Sequence, residues 1–82
     1  MTDFNTDSNV QSPNIEPITL IDEVSSEEFY IGTSINGGNT SKATWRIKKI
    51  WKDVTVWKVE FPDGDQSYNY VWDDRISTYI YR

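Results

Sequence analysis

Apolar and polar residues alternate with a period of two in the second half of the chain. Trp45 and Ile47 alternate with Arg46 and Lys48. Successive side chains of a β-strand point to opposite faces of a sheet, so this alternation predicts a strand with one buried face. No window has a sustained period of 3.6 residues, and the pattern therefore favours strands over amphipathic helices.

Further strands are predicted on both sides of this one. The predicted strands are residues 28–35, 44–51, 54–61, 66–72 and 76–81. In the second of them the apolar phase shifts between Lys48 and Ile50, which predicts a β-bulge. Residues 62–65 predict a tight turn, because proline fixes φ and glycine accepts a positive φ. Short strands separated by turns predict an all-β fold, a small antiparallel β-barrel or sandwich of about five strands, with an extended N-terminal arm.

Aromatic residues and charge divide the chain near residue 27. Phe4 is the only aromatic residue before position 29, whereas four Trp, five Tyr and two Phe follow it. Large aromatic side chains supply much of the apolar area of a small core, so the core is expected after residue 28. Residues 1–28 contain seven acidic residues and no basic one. We therefore predict an acidic arm over residues 1–26 and a small all-β domain over residues 27–82.

The predicted arm contains one segment with the composition of a strand. Residues 15–21 are rich in β-branched residues, and Pro17 lacks an N–H, which favours an edge strand or an extended clamp over a central strand. Residues 22–26 are expected to form a linker. An acidic arm of this kind is either an interaction segment or a solvated tail. As an interaction segment it would add to the sheet edge of a neighbouring subunit. Its candidate partner-binding residues are Phe4, Ile15, Ile18, Leu20 and Ile21.

The size of the domain predicts association with other chains. A body of about 50 to 60 residues buries only about 60% of the surface that its unfolded chain exposes, so its stability alone is marginal. Disulfides, metals or oligomerisation usually support domains of this size. The chain has no cysteine, and we therefore expect a homo-oligomer, a larger assembly, or both.

Composition also limits the chemistry that the chain can perform. Cysteine and histidine are both absent, which excludes thiolate zinc sites and removes the commonest general base. Asp73 and Asp74 suggest a glycosidase pair, but turn capping together with an ion pair to Arg75 is favoured. Residues 63–65 (DGD) contain only a fragment of a calcium loop and are expected to form a turn. No catalytic residue, metal site or cofactor is predicted.

Two kinds of ligand remain to be weighed, nucleic acid and sugar. Arg46 and Lys48 lie between Trp45 and Trp51, and basic residues beside aromatic ones are typical of platforms for single-stranded nucleic acid. The net charge of −5 disfavours a nucleic-acid partner. Exposed tryptophans would instead suit stacking on sugars. No signal peptide and no membrane-spanning run of about 20 apolar residues is predicted.

Residues 30–82 carry two motifs that occur together in a known family. Trp45–Ile50 has the pattern W-x-I-x-K-I, and Val71–Ser77 has the pattern V-W-D-D-R-x-S. With these motifs the segment resembles a family of small tailed-bacteriophage proteins, found alone or as modules of virion structural proteins. Ser34 and residues 68–70 depart from the family's pattern, and residues 1–28 lie outside the resemblance.

The motif residues are expected to form a structural scaffold. Trp45 and Trp72 would anchor opposing strands, and Gly32 would permit a close backbone approach. Arg75 would be held by Asp73 or Asp74, because a carboxylate fixes a guanidinium in one geometry. The complete motif consists of Gly32, Trp45, Ile47, Ile50, Trp72, Asp73, Asp74 and Arg75.

The resemblance implies virion assembly and no catalytic activity. The expected function is that of a decoration, tail or baseplate accessory protein, made in the bacterial host cytoplasm and located in the virion. Its arm and β-domain would bind neighbouring virion proteins, such as capsid, neck, tail or baseplate subunits. Two alternatives stay open: a glycan-binding module of a phage tail or head surface, and an acidic inhibitor of a host enzyme.

Overall fold

The computed structural model describes residues 17–35 and 37–82, which form an all-β fold. The strands are β1 (Ile18–Ser25), β2 (Glu28–Ser34), β3 (Ala43–Asp53), β4 (Val56–Glu60) and β5 (Tyr70–Val71). The only helix among the described residues is a single 3₁₀ turn, Trp72–Asp74. The predicted all-β class with about five strands is confirmed.

The strands form one antiparallel sheet in which neighbours in the chain are neighbours in space. The order is β1-β2-β3-β4, and β5 also pairs with β3. One edge of β3 pairs with β2, and its other edge is divided between β5, near Ala43 and Trp45, and β4, from Lys49 to Asp53. Over residues 17–35 and 37–82, β1 and β4 do not pair with each other, so these strands form an open sheet.

The first strand belongs to the sheet of its own chain. β1 pairs with β2 from Ile18 opposite Ser34 to Ser25 opposite Glu28, with a register shift after Glu23. The predicted linker over residues 22–26 is therefore wrong. Residues 18–21, expected on a neighbour's sheet edge, lie on the β2 edge of the same chain. A two-residue turn between β1 and β2 makes this hairpin the nearest available pairing.

β3 pairs without interruption across residues 48–50, where the alternation of apolar and polar residues shifts by one position. Its pairing with β2 has no register shift from Trp45 to Trp51, so the predicted bulge between Lys48 and Ile50 is wrong. Ile50 lies on the face opposite to Ile47 because residues an odd number apart in a strand point to opposite faces. The change of phase marks a strand with apolar side chains on both faces.

The core lies on one side of the sheet, called here the inner face. Trp45 and Ile47 of β3 are fully buried there, together with Tyr30 of β2. Tyr70 and Trp72 complete the cluster from the C-terminal part of the chain, which crosses over this face. All five of these residues follow residue 28, as the distribution of aromatic residues predicted. Partly buried Leu20, Tyr79 and Tyr81 pack against this cluster.

Gly32 is the point at which the C-terminal segment comes closest to the sheet. A Cβ atom at this position would lie 2.4 Å from Cε3 of Trp72 and 3.1 Å from Cε3 of Trp45. The two indole rings pack on each other, with centroids 5.7 Å apart and planes tilted by 36°. The missing side chain of Gly32 therefore creates the space that Trp72 occupies.

The C-terminal segment differs from the two strands predicted for it. Only Tyr70–Val71 is a strand, and a 3₁₀ turn follows it. Residues 76–81 form no strand, although Pro62 and Tyr81 make an isolated bridge. The backbone N–H of Phe61 also donates to the Arg82 carbonyl at 3.2 Å. The tyrosines of this segment instead fill gaps over the inner face.

The turns on either side of β4 agree only in part with the sequence pattern. The predicted turn over residues 62–65 is confirmed, because the Asp65 N–H donates to the Pro62 carbonyl at 2.8 Å and Gly64 has a φ of 72°. The turn before β4 lies at Val54 rather than at residues 52–53, and Val54 has a φ of 60°. Because valine rarely adopts this conformation, its sequence gives no signal of a turn.

Candidate functional site

The side of the sheet opposite to the core, called here the outer face, is the candidate site. Paired residues of neighbouring strands lie on the same face, so the register assigns every strand residue to one side. Ile21, Ile31 and Lys48 form one row of this face, and Phe29 and Ile50 lie in the next. The outer face as a whole comprises Thr19, Ile21, Glu23, Phe29, Ile31, Thr33, Arg46, Lys48, Ile50, Lys52, Trp57 and Val59.

Apolar side chains form a continuous strip across the outer face. Ile21 is 66% exposed at one edge, and Val59 is 54% exposed near the other. Phe29, Ile31 and Ile50 lie between them and are half-buried. Contiguous exposed apolar surface is uncommon on monomeric proteins and marks interaction sites. The strip is therefore the candidate interaction surface of the described residues.

Three cations lie beside this apolar strip, all contributed by β3. Arg46 donates to Oε1 of Gln66 at 3.1 Å and lies over the Phe61 ring. Lys52 lies over the Trp57 ring, with Nζ 5.9 Å from its centroid. The third cation is Lys48. None of the three forms an ion pair with a carboxylate of the described residues.

Carboxylates of the inner face have partners within the chain. Glu28 forms an ion pair with Lys49 at 3.8 Å, and Asp53 forms one with Lys58 at 3.0 Å. Glu60 accepts a hydrogen bond from the Trp51 indole N–H at 2.9 Å. Within residues 17–35 and 37–82, the cations without an anionic partner on the sheet are therefore concentrated on the outer face, where an acidic ligand would be favoured.

The four tryptophans have different surroundings. Trp45 and Trp72 are buried in the core, and the Trp45 indole N–H donates to the Asn39 carbonyl at 3.0 Å. Trp51 is half-buried on the inner face. Trp57 is 47% exposed on the outer face, with its ring centroid 6.1 Å from that of Phe29. Trp57 is thus the tryptophan with the most surface available for a ligand.

The D-D-R segment, Asp73–Arg75, makes a contact that its spacing did not predict. Arg75 binds Asp22 of β1: its Nε and Nη2 donate to Oδ2 at 3.1 and 2.8 Å. The expected ion pair with Asp73 or Asp74 is wrong, because the 3₁₀ turn directs Arg75 across the sheet. Its guanidinium also lies 4.4 Å from the centroid of the Trp72 ring. This ion pair joins the C-terminal segment to the edge strand.

The predicted partner-binding residues are only partly within the described residues. Phe4 and Ile15 lie outside them. Ile18 and Leu20 are on the inner side of β1, and Ile21 is on its outer side. In the part of the chain that the structure describes, the free edge of β1 pairs with no strand. Of the three placed residues, Ile21 alone contributes to the outer face.

Two tyrosines of the core region, Tyr30 and Tyr81, have raised pKa values. Burial, followed by the hydrogen bond to Glu28 Oε2 at 3.2 Å, raises the pKa of Tyr30 to about 12. Burial also raises the pKa of Tyr81, whose hydroxyl donates to the Arg75 carbonyl at 2.8 Å. Both hydroxyls are therefore held in the protonated form in the folded chain.

Alkaline pH is expected to destabilise the fold through these tyrosines. Because their pKa values are raised above 10.0, their contribution is fully present below pH 10 and is lost as the pH rises toward about 12. Denaturant titrations between pH 8 and 12 would measure this loss. The Tyr30→Phe variant should lose less stability over this interval than the original chain. An equal loss in both proteins would contradict the assignment to Tyr30.

No chemistry is apparent in the remaining acidic residues. Asp65 Oδ1 accepts the Ser67 N–H at 2.8 Å, and this hydrogen bond lowers the pKa of the Asp65 carboxyl. Among the residues described, no three potential metal ligands lie together. The same residues contain no helix with the length and apolar composition needed to cross a membrane.

The outer face was not recognised in the sequence as one surface. In the sequence, Arg46 and Lys48 suggested a nucleic-acid platform that the net charge disfavours, and Ile50 suggested a bulge. Two features of the sequence could have revealed this surface: β3 has apolar residues at both odd and even positions, and the spacing of Trp57 and Val59 places them on one face.

No protein-family model, curated protein or solved structure matches this chain.

Proposed function

We propose that this protein is a non-catalytic structural component of a tailed-bacteriophage particle, such as a decoration, tail or baseplate accessory protein. In this proposal it is made in the host cytoplasm and binds neighbouring virion proteins through its outer face and N-terminal arm. The observation that carries the proposal is the outer face, because an apolar strip with adjacent cations suits a protein partner. The W-x-I-x-K-I and V-W-D-D-R-x-S motifs support the phage origin.

The proposal also gives the open sheet a place in a larger architecture. An antiparallel sheet that is covered on one side by its own chain can receive a second layer on the other. A neighbouring chain on the outer face would supply this second layer. The covered inner face and the Asp22–Arg75 ion pair would keep the sheet rigid for this docking.

Quantitative mass spectrometry of purified particles tests the proposal. The protein should be present at a fixed copy number. The variant Ile21→Glu/Val59→Glu, which adds charge to the outer face, should be incorporated at least tenfold less. The matched control is Ile76→Glu/Ile80→Glu, because these isoleucines are similarly exposed away from the outer face, and it should be incorporated normally. Absence of the original protein from particles would refute the proposal.

A glycan-binding module of the particle surface is the second candidate, and Trp57 is the observation that favours it. An exposed tryptophan beside Phe29 offers a flat surface on which a sugar ring can stack. Glycan-array binding that Trp57→Ala abolishes would support this candidate. Tyr68→Ala is the control, because Tyr68 is also an exposed aromatic residue but lies outside the outer face. A silent array would exclude this candidate.

A further inference from the structure

We infer that the outer face binds residues 1–16 of a second copy of this chain. The inference rests on the proposed function, because it assumes that copies meet during assembly, and it names the partner of the same surface. It starts from the chemistry of the outer face: three cations from β3, one carboxylate at Glu23, and an apolar strip between two strand edges. A suitable partner is therefore acidic and partly apolar.

Residues 1–16 have this composition. They contain three acidic residues, Asp3, Asp7 and Glu16, and no lysine or arginine. Phe4, Val10 and Ile15 supply apolar side chains for the strip. Two outer faces placed against each other would instead bring the cations of one β3 close to those of the other, and like charges in an interface are unfavourable. Charge complementarity thus favours the segment over face-to-face packing.

The segment is also long enough to cross the outer face. Sixteen extended residues span about 50 Å. From Arg46 to Lys52 the cations cover six residue steps of β3, which corresponds to about 20 Å. A single segment can therefore reach all three cations and the apolar residues between them.

Local stereochemistry favours a second copy over the same chain. Proline disfavours the helical conformation of the residue before it, and the segment contains such residues at Ser12 and Glu16, before Pro13 and Pro17. Residues 1–17 contain no glycine, the residue best suited to a sharp reversal. Binding to the outer face of its own sheet would require a reversal of the chain just before β1. A segment with little preference for a reversal is better suited to the outer face of a second copy.

A charge-exchange experiment on the full chain tests the inference. The arm variant carries Asp3→Lys and Asp7→Lys, and the face variant carries Lys48→Glu and Lys52→Glu. Sedimentation equilibrium should show that the original protein self-associates and that each variant associates at least tenfold more weakly. Lys42→Glu, an exposed lysine in the loop before β3, is the control and should associate normally. Unchanged denaturation midpoints would establish that the variants are folded.

An equimolar mixture of the two variants should recover the original association. In the mixture the lysine-bearing arm meets the glutamate-bearing face, and the unchanged arm meets the unchanged face. Docking within one chain predicts no such recovery, and neither does face-to-face packing. A monomeric original protein, an unaffected face variant or a mixture that fails to recover would each overturn the inference. A monomer that still enters particles would overturn this inference alone, and the proposed function would stand.

Discussion

The Gly32→Ala variant is expected to lower the free energy of unfolding by about 2 to 3 kcal/mol. The added methyl group would lie 2.4 Å from one ring atom of Trp72 and 3.1 Å from Trp45. Both indoles are buried and pack against each other, so neither can move without displacing the C-terminal segment. Chemical denaturation followed by tryptophan fluorescence would measure the loss.

Gly37→Ala separates this steric effect from the ordinary cost of replacing a glycine. Gly37 has a φ of 81° but no atom within 4 Å of the added methyl position. Its replacement should cost about 1 kcal/mol through backbone strain alone. Replacing Trp72 by Phe should relieve part of the clash, so Gly32→Ala/Trp72→Phe should lose less stability than the sum of the single variants. Additive losses would contradict the proposed contact.

The Asp22→Ala variant is expected to destabilise the protein by about 2 kcal/mol, because Arg75 would lose a carboxylate that accepts two of its hydrogen bonds. The two side chains are only 21% and 29% exposed, so water replaces the lost contacts poorly. The loss should appear in the midpoint of urea unfolding and should decrease when Arg75 is first replaced by Met, since no buried charge then remains unpaired.

Asp53→Ala is the matched control for this ion pair. Asp53 also contacts a cation on the inner face, but it and Lys58 are 46% and 45% exposed. Exposed pairs of this kind contribute about 0.5 kcal/mol or less. Equal losses in the free energy of unfolding for Asp22→Ala and Asp53→Ala would show that the Asp22–Arg75 ion pair stabilises the protein no more than an exposed ion pair does.

Local patterns in the sequence predicted the central strands and one turn correctly. Trp45 and Ile47 alternate with cations because β3 has its most deeply buried side chains on the inner face. Trp57 and Val59 share a face in the structure, as their spacing indicated. The turn that contains Gly64 was also predictable, because its residues have strong conformational preferences of their own. These features depend only on neighbours in the chain.

Features that depend on distant residues were not predictable in this way. The pairing of Asp22 with Arg75 joins residues 53 positions apart, and no local pattern specifies it. Asp22 and Glu23 made β1 resemble a linker, although both lie in a strand and Asp22 binds Arg75. Ile50 suggested a bulge because a single apolar face was assumed. The second apolar side of the sheet, and hence the candidate site, became visible only from the strand register.

The sequence of residues 76–81 is compatible with either a strand or an irregular segment that packs on the core. Ile76, Thr78 and Ile80 share one side of an alternating pattern, and this alternation predicted a closing strand over residues 76–81. In the structure the Tyr79 hydroxyl accepts the Val71 N–H at 2.9 Å, and the ring packs edge-on against Tyr70 at 4.9 Å. These tyrosine contacts therefore stabilise a compact irregular segment, and strand propensity alone does not distinguish the two conformations.

The sequential order of β1 to β4 has a consequence for how the molecule acquires its structure. Each hairpin joins segments that are adjacent in the chain, and such local contacts form quickly because little loop entropy is lost. The segment from Tyr70 onward makes the long-range contacts and follows the four sequential strands in the chain. We therefore expect the β1–β4 meander to form early, with both faces of the sheet exposed to water. In a slower step the aromatic C-terminal segment would then dock on the inner face and exclude water from it.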